Sequence, residues 1–115
     1  MKKYGIYILM ALFAIIYSLY AIIQHNNFGS HAYDLGIFDQ AVWHYSKFQW
    51  SANSVKGIAN ILGDHFHPIL ILLAPLYWLW NNVNMLFIAQ GALIALGALP
   101  IFWIAASRIS GEIAM

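Results

Sequence analysis

The chain contains no cysteine. That excludes a disulfide framework and a thiolate metal site, and it leaves the redox compartment unmarked. Charge is nearly as scarce, with five Lys and Arg and four Asp and Glu in 115 residues and a net charge of +1. No basic run exists to displace counterions from a phosphate backbone, so nucleic acid is not an expected partner. There is no Gly-rich phosphate loop, no nucleophile elbow, no HExxH pair and no internal repeat. What remains is greasy: 63% hydrophobic residues, 17% aromatic, and a mean hydropathy of +0.70. That composition points away from a soluble globule, and the length allows one small domain at most.

The few charges are segregated. Lys2 and Lys3 open the chain, Arg108 and Glu112 stand near its end, and Asp34, Asp39, Lys47, Lys56 and Asp64 fall between. All five histidines, His25, His31, His44, His65 and His67, lie in that middle stretch. On either side are apolar runs. Tyr4 to Ile23 is uncharged for about twenty residues, the length needed to cross a hydrocarbon core. It is longer than a signal-peptide core, and no clear small-x-small cleavage pair closes it, so a retained transmembrane helix is expected. Residues 66–80 form a shorter second span, with Pro68 in its first turn and a kink at Pro75. Asn81 and Asn82 make a polar turn, and 83–106 form a third span containing Pro100. Gly91, Ala95 and Ala98 line one face of that helix, a stripe suited to packing against further transmembrane helices. Tyrosines and tryptophans cluster near the span ends, as interface aromatics do.

Residues 24–65 carry too many polar groups to lie in lipid. Within them, Leu35 to Trp50 reads as a helix, with Leu35, Phe38, Val42 and Tyr45 on one face. It is expected to lie along the membrane interface rather than to form the core of a soluble loop domain. Ser51 to Asn60 reads as a loop with a weak helical turn. Lys2, Lys3 and the amino terminus favour a cytoplasmic start, which makes the first loop extracytoplasmic and the Asn81–Asn82 turn cytoplasmic.

The stretch HAYDLGIFDQAVWHYSKF, His31 to Phe48, holds two of the three aspartates. Asp34 is placed to cap the helix beginning at Leu35. Asp39 has Leu35, Val42 and Trp43 as helical neighbours and no local cation, so its carboxylate needs a tertiary partner, a ligand or water. Five residues apart, the two acids diverge by roughly 140° on a helix and converge only if Asp34 belongs to the preceding loop. A second cluster, GDHFHP, sets Asp64, His65 and His67 at the mouth of the second span. In an extended segment the two imidazoles share a face and are able to meet a metal or a phosphate. The ligand spacing is weak, so no metal is assigned, and Asp64 also suits a helix N-cap.

The pieces YDLGIFDQAVW, HFHPILILLAPLYWL and LIALGALPIFWIA together resemble a family of multi-spanning membrane proteins of unknown function that is similar to the GT-C glycosyltransferase superfamily. The resemblance runs from about Tyr33 to Ala105, and family members are usually several times longer. It implies an all-α integral membrane fold, of which residues 1–115 are a single, incomplete N-terminal domain, multi-pass in the cell membrane with a cytoplasmic start. It implies sugar transfer from a polyprenyl-phosphate donor on the extracytoplasmic side. An acid of the first loop then serves as base or metal ligand: Asp34 matches that position best, and Asp39 is the alternative. His65 matches the family's HFxPI motif, whereas His67 sits at its variable position. A base that takes the acceptor proton and donors that hold the leaving phosphate complete the chemistry, with His65 and His31 as the phosphate-binding candidates. Metal use differs among GT-C enzymes, so a divalent cofactor stays open. The rival readings are a small non-enzymatic subunit that packs partner helices through the Gly91 stripe, and a metal or proton handler built on the histidine-rich loop. A three-span piece leaves a donor groove without walls, so this chain alone is expected to transfer no sugar.

Overall fold

The computed structural model describes residues 4–113; Lys2 and Lys3, which carry the orientation argument, and the side chain of Glu112 lie outside what is described. The described residues are helical, with five α-helices: α1 Gly5–Asn26, α2 Ala32–Ser46, α3 Ala74–Leu79, α4 Asn84–Leu96 and α5 Ala98–Ile113. They form two compact units, one of residues up to Ala21 together with those from Ile88, the other Ile22–Phe87.

Two stretches are long and apolar enough to cross a membrane: Gly5–Asn26, with mean hydropathy 2.4, and Asn84–Arg108, with 2.1. The second is broken at Gly97, which separates α4 from α5. Pro100 is the local cause: it has no N–H for the Leu96 carbonyl, and its ring crowds that carbonyl. The Gly97 N–H closes the turn on the carbonyls of Leu93 and Ile94, each at 3.1 Å. In this unit α4 lies close against α1. A Cβ on Gly91 would stand 3.0 Å from the Ala14 carbonyl oxygen and clash with Ser18 Oγ. Gly91 and Ala95 are buried, so the small-residue stripe expected to receive outside helices is occupied at Gly91 by the chain's own first helix.

The segment expected as a second span is built of two pieces. Residues 66–80 are not one helix: Pro68–Leu73 is a 3-10 helix and Ala74–Leu79 is α3. With rises of ~2.0 and ~1.5 Å per residue, the two pieces extend roughly 21 Å, short of a hydrocarbon core of ~30 Å. Both ends of the segment stay beside α2. His67 meets Phe38 edge to face at 6.0 Å, the Tyr77 hydroxyl donates to Asp39, and Trp78 Nε1 donates to the Ser46 carbonyl at 2.7 Å.

Within Ile22–Phe87, α2 is the central element. It begins three residues earlier than the apolar pattern places it and ends four residues earlier. Of the expected face Val42 and Tyr45 are buried, while Leu35 and Phe38 are only partly so; Ile37 and Ala41 are buried beside them, and Ile61 and Ala74 complete the core around Ile37, Ala41 and Tyr45. The 51–60 segment is the expected loop, closed on itself and without a helical turn. Asn53 and Ile58 pair across it through N–H···O bonds of 2.8 and 3.1 Å, and Gly57 takes a positive φ of 68° to turn the chain. Asn53, 2% exposed, fastens this loop to α2: its Nδ2 donates to the Ile37 carbonyl at 3.0 Å, and its Oδ1 accepts from the Lys56 N–H at 3.1 Å. Gln40 adds a second tie, donating from Nε2 to Ser54 Oγ at 2.7 Å and accepting from the Ser54 N–H at 3.0 Å.

Candidate functional site

The two loop acids part company because both belong to α2. Asp34 is not the cap: the N-cap is His31, whose side chain makes no capping bond, and Asp34 sits in the first turn. There its charge complements the helix dipole. Its side chain is exposed and has no hydrogen-bond or ion-pair partner among the described residues; Lys56 lies within its electrostatic reach. Asp39, half-buried, accepts a hydrogen bond from the Tyr77 hydroxyl. That hydroxyl is held far above the ordinary phenol range, first by burial and then by its bond to the carboxylate, so it stays a donor. Tyr77 is the tertiary partner that the neighbours of Asp39 called for. It lies 38 positions away, and nothing local in the sequence links the two.

The second cluster closes into a polar ladder. Lys56 pairs with Asp64, His65 Nδ1 lies 2.6 Å from the same carboxylate, and the rings of His65 and His67 stack with centroids 5.5 Å apart. Asp64 is therefore not an N-cap. It ends the 3-10 turn Ile61–Gly63, which Asn60 caps by accepting from the Leu62 N–H at 3.0 Å. The hydrogen bond to Lys56, and after it the one to His65, holds the Asp64 carboxyl below its ordinary 3.8. The same bond to Asp64 is the largest influence raising Lys56, and Asp34 adds to it. The structure thus gathers Lys56, Asp64, His65 and His67, and sets Asp34 within electrostatic reach of Lys56. His31, exposed at the start of α2, makes no polar contact among the described residues. No three His, Cys, Asp or Glu side chains among the described residues are arranged to hold a metal. The carboxylate of Asp64, the acidic metal candidate beside His65, is already engaged by Lys56.

The Lys56–Asp64 pair has a pH signature. A carboxyl depressed on folding supports the fold above its unfolded value and loses that support as pH falls through the folded one. A raised lysine supports the fold below 10.5 and loses that support as pH rises through its folded value. Lys56→Ala is expected to move the Asp64 titration up toward 3.8, part of the depression remaining through His65. A carboxyl-carbon NMR titration reads this directly, and an unmoved midpoint would remove the pair.

Two concavities accompany these groups, one in each unit. An apolar groove of about 540 Å³ in the first unit is lined by Ile6, Leu9 and Phe13 of α1 and by Ile94, Ala98 and Ile101. In the second unit, a pocket of about 320 Å³ lies among Tyr45, Phe48, Gln49, Trp50 and Ile71.

In comparison with known proteins, a family model described as "Predicted membrane protein (DUF2079)" matches residues 24–115. No curated protein and no solved structure is detectably similar.

Proposed function

Because the chain belongs to the DUF2079 family of predicted membrane proteins, we propose that it is the N-terminal part of a GT-C-like glycosyltransferase that takes sugar from a polyprenyl-phosphate donor outside the cytoplasm. The observation that carries this reading is the contrast between the two acids of α2. Asp39 is engaged by Tyr77, while Asp34 presents an exposed carboxylate with no bonded partner among the described residues. A carboxylate in that state is able to take the proton of an acceptor hydroxyl as it attacks the anomeric carbon. The leaving phosphate needs positive charge and N–H donors, and Lys56, His65 and His31 are the nearby groups of that kind. Asp39 acts as a positioning residue that fastens α2 to α3. The apolar groove of the first unit has the chemistry an isoprenoid tail requires.

The proposed topology has two crossings, Gly5–Asn26 and Asn84–Arg108, with a cytoplasmic start. Residues between the crossings stay on the extracytoplasmic side, because both ends of the 66–80 segment remain on α2. Single cysteines at the exposed positions Ala59 and Asn81 test this. Both should react with a membrane-impermeant thiol reagent in intact cells. Labelling of Ala59→Cys alone would restore a crossing at 66–80, and labelling of neither before lysis would invert the orientation. The activity itself is tested by sugar transfer from a polyprenyl-phosphate donor in membranes carrying the full-length protein. No transfer to any hydroxyl acceptor would remove the enzyme reading.

A further inference from the structure

Among the described residues, two that bear a side chain have positive φ, and both are phenylalanines: Phe28 and Phe48, each at 58°. They occupy the same place in the same motif. After α1, the Phe28 N–H bonds the His25 carbonyl at 2.9 Å and the Gly29 N–H bonds the Gln24 carbonyl at 2.7 Å. After α2, the Phe48 N–H bonds the Tyr45 carbonyl and the Gln49 N–H bonds the His44 carbonyl, each at 3.0 Å. Both are Schellman endings, and in both the left-handed position that glycine ordinarily fills carries a bulky ring. An L side chain in this conformation is strained, so the ring must recover free energy elsewhere.

Little of it is recovered inside the protein. Phe28 is 97% exposed and Phe48 86% exposed. The apolar contact that usually accompanies the motif, between the residue after the left-handed one and the last turn of the helix, is polar after α2, where His44 Nδ1 lies 3.2 Å from Gln49 Oε1. The rings are thus the apolar elements of these endings, and both are exposed. Phe28 follows the end of α1, a stretch of crossing length and composition only 11% buried within the protein, which sets Phe28 at the level where a crossing helix leaves the hydrocarbon. Phe48 stands beside Trp78, with ring centroids 5.8 Å apart, and near the exposed Trp50. Lys47, also exposed, precedes it, and a cation beside an aromatic cluster suits an anionic headgroup layer.

We propose that Phe28 and Phe48 are paired lipid wedges, rings held outward by strained helix endings and inserted at the boundary between headgroups and acyl chains of the bilayer that holds α1. One pins the α1–α2 connection and the other the far end of α2 to the membrane surface. The proposal rests on the membrane assignment and not on the enzymatic reading, so loss of either leaves the other standing.

The test labels each ring singly with a para-fluorine, a near-isosteric change, in the full chain reconstituted into phosphatidylcholine–phosphatidylglycerol vesicles. Fluorine relaxation is then measured with a nitroxide near the carbonyl end of the acyl chains, and separately with a water-soluble gadolinium chelate. The lipid nitroxide should relax both fluorines several times more strongly than the chelate does. Stronger relaxation by the chelate at either ring would place that ring in water and overturn the assignment for it. Little relaxation by both reagents would mean that protein covers the ring, and would overturn it equally.

Discussion

Asp34→Asn in the full-length protein is expected to lower sugar transfer by about 10²–10⁴-fold, the usual worth of a general base, while the chain still folds. Asparagine keeps the shape of the side chain but cannot take a proton. The structural cost is small because Asp34 is neither a cap nor a bonded partner. What is lost is a favourable charge in the first turn of α2, worth ~0.3–1 kcal/mol at an exposed site. Asp39→Asn gives the contrasting result. Its amide keeps an oxygen that accepts from Tyr77, so activity should fall only as far as the seat of α3 on α2 loosens. Transfer measured at matched protein levels separates the two. Wild-type rates in Asp34→Asn with a collapse in Asp39→Asn would move the base to Asp39, and full activity in both would leave the enzyme reading without its residue-level support.

Gly91→Leu is expected to cost about 3 kcal/mol, the upper part of the usual overpacking range. The first carbon added already meets the Ala14 carbonyl oxygen at 3.0 Å and Ser18 Oγ at clashing distance. Ser18 Oγ is able to rotate away, but the Ala14 carbonyl is backbone and moves only if α1 moves. In lipid, solvent does not drive two apolar helices together, so close packing carries more of their association than it does in water. The midpoint of denaturant unfolding in micelles should fall sharply for Gly91→Leu and less for Gly91→Ala, and Ser18→Gly should recover part of the Gly91→Ala loss. A midpoint equal to the parent's in Gly91→Leu would show that the approach at Gly91 contributes nothing to stability.

The apolar runs, the scarcity of charge and the position of the polar loop are enough by themselves to make this a helical membrane chain. Length and hydropathy along a single run are local properties, and a bilayer reads them locally. The effects of Pro75 and Pro100 on helix continuity are local in the same way, since a missing N–H and a ring clash act within four residues. The fate of each polar side chain was decided elsewhere. Asp34 and Asp39 are the same residue type on the same helix, and what distinguishes them is Tyr77, brought to one of them by the packing of α3 on α2. Asn53 looked like an ordinary loop residue, yet it is buried because the carbonyl it satisfies, that of Ile37, lies 16 positions away. Gly91 belonged to a stripe with a clear purpose, but only the close approach of α1 settled that its partner at that point is within the chain. The 66–80 segment is apolar along its length, and only the folded chain set its two ends against α2, at Phe38, Asp39 and Ser46. Hydropathy assigns a residue to lipid or to water, whereas the partner of a hydrogen bond or a helix face depends on which distant residues the folded chain brings within a few ångströms.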